Sequence, residues 1–139
     1  MNAVDTNVFV YALDAEEPSK QAKAQELLDQ LTQSPNETVL LWQVAGEVLS
    51  CRRRWEASGQ VTAADVEASF RDVLAMFPLH KPSARVFDIS FTLRAQFSLS
   101  HWDSMLLAAA SEAGVNMLYS EDMSAGWTYG TVKVVNPFE

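Results

Sequence analysis

The chain begins with the stretch Met1-Asn2-Ala3-Val4-Asp5-Thr6-Asn7, in which a short apolar run stops at a carboxylate. Val4 and its neighbours are typical of a buried β-strand that opens a domain. Apolar side chains then recur over residues 7–13, which predicts a helix there. A strand that leads into a helix places Asp5 at the carboxyl edge of a sheet, where open α/β sheets bind their ligands.

The rest of the chain alternates predicted helices and predicted strands. Helices are predicted at 20–33, 42–57, 62–77, 83–97 and 100–114, and strands at 38–41, 79–80, 115–119 and 131–135. The connections are long enough for parallel crossovers, so this order predicts a three-layer α/β/α sandwich with a short, mainly parallel central sheet. With 139 residues, 48% of them hydrophobic, we expect one domain over 1–139.

Composition excludes several classes of protein. A single cysteine, Cys51, cannot form an internal disulfide, and with only two histidines the chain is a poor candidate for structural zinc. No apolar run approaches the roughly 18 residues of a membrane span, and no basic segment followed by a hydrophobic one opens the chain. We therefore expect a cytoplasmic protein without a membrane partner.

The formal net charge of −8 argues at first against binding nucleic acid, because phosphate contacts rest on Lys and Arg. The charge is unevenly distributed, however: residues 51–100 carry five acids and seven bases and are the only net positive third. The densest basic patch is Arg52-Arg53-Arg54. Such a triplet is either a solvated helix face or a surface that steers a nucleic-acid strand toward a site.

Glu47 occupies an unusual place for a glutamate. On the helix predicted at 42–57 its neighbours are Gln43, Val44, Cys51 and Arg54, which places it beside the apolar stripe. Burying a carboxylate unpaired costs roughly several kcal/mol. Glu47 therefore requires a partner, either Arg54 in an ion pair or a ligand at a functional site.

Two further acids stand at the start of a helix and the end of a strand. Ser100 and Asp103 have the spacing of a capping box, worth about 1 kcal/mol without any further role. Yet the helix that follows is almost wholly apolar, so its first turn brings a carboxylate to the edge of the core. Asp122 follows the strand predicted at 115–119 and so repeats the geometry of Asp5.

If these four carboxylates meet at about 5 Å, each pair repels by on the order of 3 kcal/mol at an effective dielectric constant of 20. Six such pairs rival the whole stability of a domain, roughly 5 to 15 kcal/mol, so the cluster requires a cation. Ligands that are all oxygen suit Mg²⁺ or Mn²⁺. Ions held in this way support the cleavage of phosphodiester bonds.

Several of these motifs, in this order along the chain, resemble those of a PIN domain and, more closely, of VapC-type toxins from bacterial toxin–antitoxin pairs. The resemblance covers essentially the whole chain. It rests on Asp5-Thr6-Asn7, Gln43-Val44-Ala45-Gly46-Glu47, Trp102-Asp103, Ser120-Glu121-Asp122-Met123 and Val135-Asn136-Pro137-Phe138.

This resemblance implies an endoribonuclease that depends on Mg²⁺ or Mn²⁺ and acts on RNA. It also implies a homodimer and a cognate antitoxin that inserts an arginine or an apolar segment into the acidic groove. Glu121 is an additional acid for which a solvent-facing or structural role is the simpler interpretation. The metal ligands implied by the resemblance are Asp5, Glu47, Asp103 and Asp122, with Thr6, Asn7 and Ser120 as accessory residues that orient them.

Two other classes of function remain open on the residues alone. An aspartate-based phosphatase also places an aspartate after its first strand, but its second aspartate is replaced here by Asn7, and no lysine follows a later strand in the matching way. In a non-catalytic binding module the acids are helix caps, and the acidic groove holds a basic peptide.

Overall fold

The computed structural model describes residues 1–139 and contains six strands and six α-helices. A single 3₁₀ turn, Pro35–Glu37, precedes the second strand. The elements follow in the order β1 (Asn2–Val4), α1 (Thr6–Leu13), α2 (Pro18–Thr32), β2 (Thr38–Leu41), α3 (Trp42–Ala57), α4 (Ala63–Met76), β3 (Leu79–His80), α5 (Arg85–Gln96), α6 (His101–Glu112), β4 (Met117–Tyr119), β5 (Thr128–Tyr129) and β6 (Val132–Val135).

The six strands form one sheet in the order β3-β2-β1-β4-β6-β5. All neighbours are parallel except β5, which pairs antiparallel to β6. Ala3 lies opposite Val39 of β2 on one side and Leu118 of β4 on the other, so β1 is central. The helices that connect these strands cover the sheet, as parallel sheets require. The predicted three-layer α/β/α fold with a mainly parallel sheet is thereby confirmed.

The core lies between the sheet and the helices. Ala3 is completely buried because helices cover both faces of the central strands. Helix α6 is buried without interruption from Leu106 to Ala110, as its apolar composition predicts. Phe9 and Val48 place α1 and α3 in the same cluster. No helix combines the length and the apolar character needed to cross a bilayer.

The last strand pair was only partly predicted. The segment 124–130 is rich in turn residues and lies outside the strand predicted at 131–135, but it contains β5, in which Thr128 pairs with Lys133. Gly126 and Gly130 flank β5 with φ of +80° and +62°, a left-handed conformation that favours glycine. A two-residue strand between turn residues has no local sequence pattern, and β5 is defined by its pairing with β6.

Helix α5 buries fewer of its apolar side chains than its sequence suggests. Phe87 and Phe91 are 58% and 74% exposed. Its buried positions are Val86, Ser90 and Leu93. The two phenylalanines lie four residues apart and therefore share one face of the helix. They form an exposed apolar surface.

Candidate active site

Asp5 lies where β1 ends and α1 begins, and only 5% of it is exposed. Its position follows from the fold, since its backbone N–H donates to the Tyr119 carbonyl at 2.9 Å and extends the pairing of β1 with β4. Asp5 is also the N-cap of α1, and its Oδ1 accepts from the Thr6 N–H at 2.7 Å. Its Oδ2 accepts from the Ser120 hydroxyl at 2.7 Å. Both oxygens of a buried carboxylate are thus held in place.

Burial raises the pKa of Asp5 from 3.8 to about 6. The hydrogen bonds from Ser120 and from the Thr6 N–H act in the opposite direction, and the negative charges of Asp122 and Glu47 raise the pKa further. The pKa of Asp5 is therefore raised mainly by the loss of water around it, and less by the repulsion between carboxylates that was expected from the sequence. No positively charged side chain offsets the burial of this carboxylate, as is expected for a residue that binds a cation.

Ser120 connects Asp5 to Asp122. It directly follows β4, is completely buried, and its hydroxyl oxygen accepts from the Asp122 N–H at 3.0 Å. Asn7 Nδ2 donates to the same oxygen at 3.4 Å and to Asp122 Oδ2 at 3.2 Å. The Asn7 Oδ1 atom is buried and has no hydrogen-bond partner. The polar residues that follow β1 and β4 therefore form one hydrogen-bond network, in which the Asn7 Oδ1 atom is free to accept a further bond.

Glu47 joins this network through α1. Its Oε2 accepts from the Thr6 hydroxyl at 2.7 Å, and its Oε1 accepts from Gln43 Nε2 at 2.8 Å. The alternative of an ion pair with Arg54 is not realised, because Arg54 Nη1 donates to the Ser50 hydroxyl at 3.3 Å instead. Glu47 is exposed, so its carboxylate faces solvent beside the network.

Three of the four predicted acids share one open pocket. Its lining comes from the end of β1, from α1, from α3 and from the loop after β4. The lining residues are Asp5, Thr6, Asn7, Val10, Tyr11, Glu47, Ser50, Cys51, Arg54 and Asp122.

Asp103 is the fourth predicted acid, and the structure does not bring it into this pocket. It lies in the first turn of α6, where its N–H donates to the N-cap Ser100 hydroxyl at 3.2 Å. Gln43 Nε2 reaches the Trp102 carbonyl at 3.5 Å, so the start of α6 adjoins the residue that holds Glu47. Of the four carboxylates expected to converge, three line one pocket, and Asp103 lies outside it at the start of α6.

These residues fit a partly hydrated divalent cation. No three of these acidic side chains lie close enough together to coordinate one ion on their own. Mg²⁺, however, usually retains several waters and binds one or two protein carboxylates. Asp5 and Asp122, joined by Asn7 and Ser120, supply such a pair, and their donors are all oxygen.

The arginine triplet does not form one surface. Arg52 is 7% exposed, its Nε donates to the Ser69 hydroxyl at 3.0 Å, and its guanidinium lies 5.0 Å from the Trp55 ring centroid. This arginine joins α3 to α4, which removes it from the RNA-binding patch expected at 52–54. Arg53 and Arg54 are exposed, and Arg54 lines the acidic pocket.

Tyr11 and Lys20 also belong to the site region, although no motif in the sequence indicates them. Both contact Glu121: the Tyr11 hydroxyl donates to Oε1 at 2.6 Å, and Lys20 Nζ donates to Oε2 at 2.9 Å. Partial burial raises the pKa of Glu121, but these two hydrogen bonds outweigh it and lower the pKa below its ordinary value. No local pattern announces a contact across 110 residues. The contact of Gln43 with Glu47, in contrast, could be predicted from the sequence, because the two residues lie one helical turn apart.

The fold and this polar edge together define an α/β domain with an acidic site at the carboxyl ends of its central strands. A model of the PIN domain family matches residues 3–124, and the chain belongs to that family. The resemblance inferred from the sequence is thereby confirmed. No curated protein sequence is significantly similar to this chain.

Several solved structures share the fold over most of their length. A chain of a toxin–antitoxin complex from Klebsiella pneumoniae superposes with a TM-score of 0.67 and 21% identity, covering 100% of this chain and 99% of its own. VapBC2 from Rickettsia felis, solved with a DNA fragment of its promoter, gives a TM-score of 0.69 and 14% identity, with 96% of both chains covered. VapC20 of Mycobacterium tuberculosis, described as a toxin that cleaves the sarcin–ricin loop, gives 0.63 and 13%, covering 88% and 90%.

Proposed function

We propose that this protein is an endoribonuclease that depends on Mg²⁺ or Mn²⁺ and acts as the toxin of a toxin–antitoxin pair. The observation that carries the proposal is the pocket lined by Asp5, Glu47 and Asp122. Its buried member, Asp5, is held through both oxygens and has a pKa raised to about 6. Membership of the PIN domain family supports the same conclusion.

In this proposal Asp5, Glu47 and Asp122 would hold the ion, and Asp103 would complete the acidic set from the start of α6. When bound, a divalent ion would supply the activation of a water molecule and the stabilisation of charge on a phosphate group. Hydrolysis then forms a bond from the water oxygen to phosphorus as the bond to the leaving ribose oxygen breaks, and that oxygen takes up a proton.

The neighbouring polar residues orient these acids. Ser120 and the Thr6 N–H fix the two oxygens of Asp5, while the Thr6 hydroxyl fixes Glu47. Asn7 holds Asp122. Such partners restrict the rotation of a carboxylate before the ligand arrives, so that less ordering remains to be done on binding.

The proposed partners are RNA, a cognate antitoxin and a second copy of the chain. An RNA substrate agrees with the description of VapC20, and an antitoxin agrees with the toxin–antitoxin complex from Klebsiella pneumoniae. The net charge of −8 and the acidic pocket suit an arginine-bearing segment of an antitoxin. The exposed Phe87 and Phe91 of α5 offer an apolar surface for a homodimer. We place the protein in the cytoplasm.

The test is incubation of purified protein with tRNA and rRNA fragments in the presence of Mg²⁺, Mn²⁺ or EDTA. We expect internal cleavage with either ion, none with EDTA, and none with Asp5→Asn, whose far-UV circular dichroism should match the wild type. Asp72→Asn is the matched control, because Asp72 is exposed on α4 and does not line the pocket. Cleavage by Asp5→Asn at the wild-type rate contradicts the assignment.

The same experiment separates the two other classes of function. An aspartate-based phosphatase releases inorganic phosphate from phosphomonoesters and leaves RNA intact. A binding module retains a basic peptide without cutting any RNA. Either outcome overturns the nuclease proposal.

A further inference from the structure

A polar cluster outside the proposed ligand set lies beside the pocket. The Tyr11 hydroxyl donates to Glu121 Oε1 at 2.6 Å, and Lys20 Nζ donates to Glu121 Oε2 at 2.9 Å and to the Tyr11 hydroxyl at 3.1 Å. The three side chains come from α1, α2 and the loop after β4. Every pair of them is in contact, so the cluster is a closed triangle that ties three segments together.

The cluster is shielded on one side by the chain terminus. Lys20 Nζ lies 4.5 Å from the Tyr11 ring centroid and 5.7 Å from that of Phe138, and the two rings meet edge to face at 5.1 Å. The side chains of Lys20 and Glu121 are 38% and 24% exposed. This ion pair is therefore less screened by water than a fully exposed surface pair.

The loop that carries Asp122 needs such support. Residues 121–123 have no regular structure, and Met123 adopts a φ of +63°, a left-handed conformation that side chains rarely take. Asp122 is exposed, and its side chain accepts only one hydrogen bond, from Asn7 at 3.2 Å. Because Glu121 precedes Asp122 directly, fixing the Glu121 side chain restrains the backbone that sets the direction of Asp122.

The cluster also borders the pocket itself, since Tyr11 is one of its lining residues. Each carboxylate oxygen of Glu121 accepts a hydrogen bond, one from Tyr11 and the other from Lys20, and Glu121 does not line the pocket. Glu121 therefore makes structural contacts, whereas Asp122 presents its carboxylate to the pocket.

We infer that Tyr11, Lys20 and Glu121 are positioning residues, which fix the loop so that the Asp122 carboxylate faces Asp5 in a geometry ready for a divalent cation. This inference rests on the proposed function, because it concerns the cation affinity of the same pocket. None of the three residues touches the reacting groups, and their effect on the reaction passes through Asp122.

The test measures Mn²⁺ binding to the RNA-free protein by calorimetry for Tyr11→Phe, Lys20→Met and Glu121→Gln. Residues that orient metal ligands typically change affinity by about 10- to 100-fold. We expect Tyr11→Phe and Lys20→Met to weaken Mn²⁺ binding at least about tenfold. Lys20→Arg keeps the positive charge and should retain most of the wild-type affinity. Lys23→Met is the matched control, because Lys23 lies on the same helix and donates only to the Phe138 carbonyl.

A second measurement separates positioning from simple tethering. In the metal-free protein, the variants should shift the NMR resonance of the Asp122 backbone amide and increase its hydrogen exchange, while the amide of Leu118 in β4 stays unchanged. In cleavage assays kcat should fall more than KM rises. Variants that unfold more easily but keep wild-type Mn²⁺ affinity and an unchanged Asp122 amide overturn the inference.

Asp122→Asn, measured in parallel, distinguishes the failure of this inference from that of the proposed function. Loss of Mn²⁺ binding by Asp122→Asn, together with unchanged binding by Lys20→Met, overturns the positioning role alone. Absence of Mn²⁺ binding by the wild type overturns the proposed function and the inference with it.

Discussion

The Ser120 hydroxyl donates a hydrogen bond to Asp5 Oδ2 at 2.7 Å, across 115 residues of sequence. The same oxygen accepts from the Asp122 backbone N–H at 3.0 Å. One buried hydroxyl thus sets the orientation of a carboxylate at the end of β1 and the start of the loop that carries another. The fold makes this possible because β1 and β4 are adjacent parallel strands that end at the same edge.

Replacing Ser120 with alanine should therefore affect Asp5 first. Since this hydrogen bond lowers the pKa of Asp5, we expect Ser120→Ala to raise that pKa above about 6, as measured by NMR titration of the metal-free protein. Loss of the bond at a buried carboxylate should cost roughly 1 to 3 kcal/mol of unfolding free energy. Cleavage should fall about 10- to 100-fold. Ser19→Ala, exposed on α2, is the control. An unshifted Asp5 pKa contradicts this account.

The raised pKa of Asp5 also predicts how stability depends on pH without metal. The carboxyl titrates at about 6 when folded and near its ordinary 3.8 when unfolded, so the folded state binds the proton first as pH falls. The folded protein should therefore gain stability between pH 7 and pH 5, by about 1 kcal/mol. The lowered pKa values of Asp65, Glu112 and Glu121 act in the opposite direction, mainly below pH 5.

Urea denaturation at pH 7 and pH 5 measures this effect as a difference between wild type and Asp5→Asn. The variant cannot take up the proton, so its stability should change less between the two pH values, and the contributions of the other acids cancel in the comparison. Equal pH dependence in the two proteins would show that Asp5 titrates normally.

Much of the fold could be predicted from local patterns. Val4, Val115 and Leu118 are buried in the core, and apolar side chains of this kind are typical of central parallel strands. Thr62 was recognised as a helix start and forms a full capping box with Asp65. The site positions Asp5 and Asp122 follow from the same logic, because the carboxyl ends of neighbouring parallel strands meet at one edge.

The remainder depends on contacts between distant residues. The sequence does not show that Arg52 turns toward Ser69 while Arg54 turns toward the pocket, because the crossing of α3 over α4 decides it. Whether Asp103 reaches the other acids depends on how α6 packs, and neither its capping spacing nor its apolar run fixes that. The exposure of Phe91 likewise reflects which face of α5 meets the core.

Asp103 allows a direct test of whether the acidic set extends to the start of α6. Its carboxylate accepts no hydrogen bond, and only its backbone contacts Ser100, so Asp103→Asn should change the unfolding free energy by no more than about 0.5 kcal/mol. If the fourth acid serves the reaction, cleavage should nevertheless fall at least about 100-fold, within the range that a misplaced site group costs. Gel-based cleavage assays beside Asp72→Asn measure this. Wild-type cleavage by Asp103→Asn would restrict the site to the three acids of the pocket.

The three consecutive arginines should respond differently to substitution with glutamine. Arg54 lines the acidic pocket without an ion-pair partner, so Arg54→Gln should weaken single-stranded RNA binding and reduce the slope of log affinity against log salt by about 0.7. Arg52→Gln should leave that slope unchanged and lower the unfolding free energy by roughly 1 to 3 kcal/mol, because Arg52 holds Ser69 and stacks on Trp55.

Fluorescence anisotropy with a labelled oligonucleotide, measured with Ca²⁺ in place of Mg²⁺ to suppress cleavage, gives both slopes. Arg53→Gln is the matched control, since Arg53 is exposed but does not line the acidic pocket. Equal salt slopes for Arg53→Gln and Arg54→Gln would mean that Arg54 makes no phosphate contact that Arg53 lacks. RNA would then bind α3 through nonspecific electrostatic attraction.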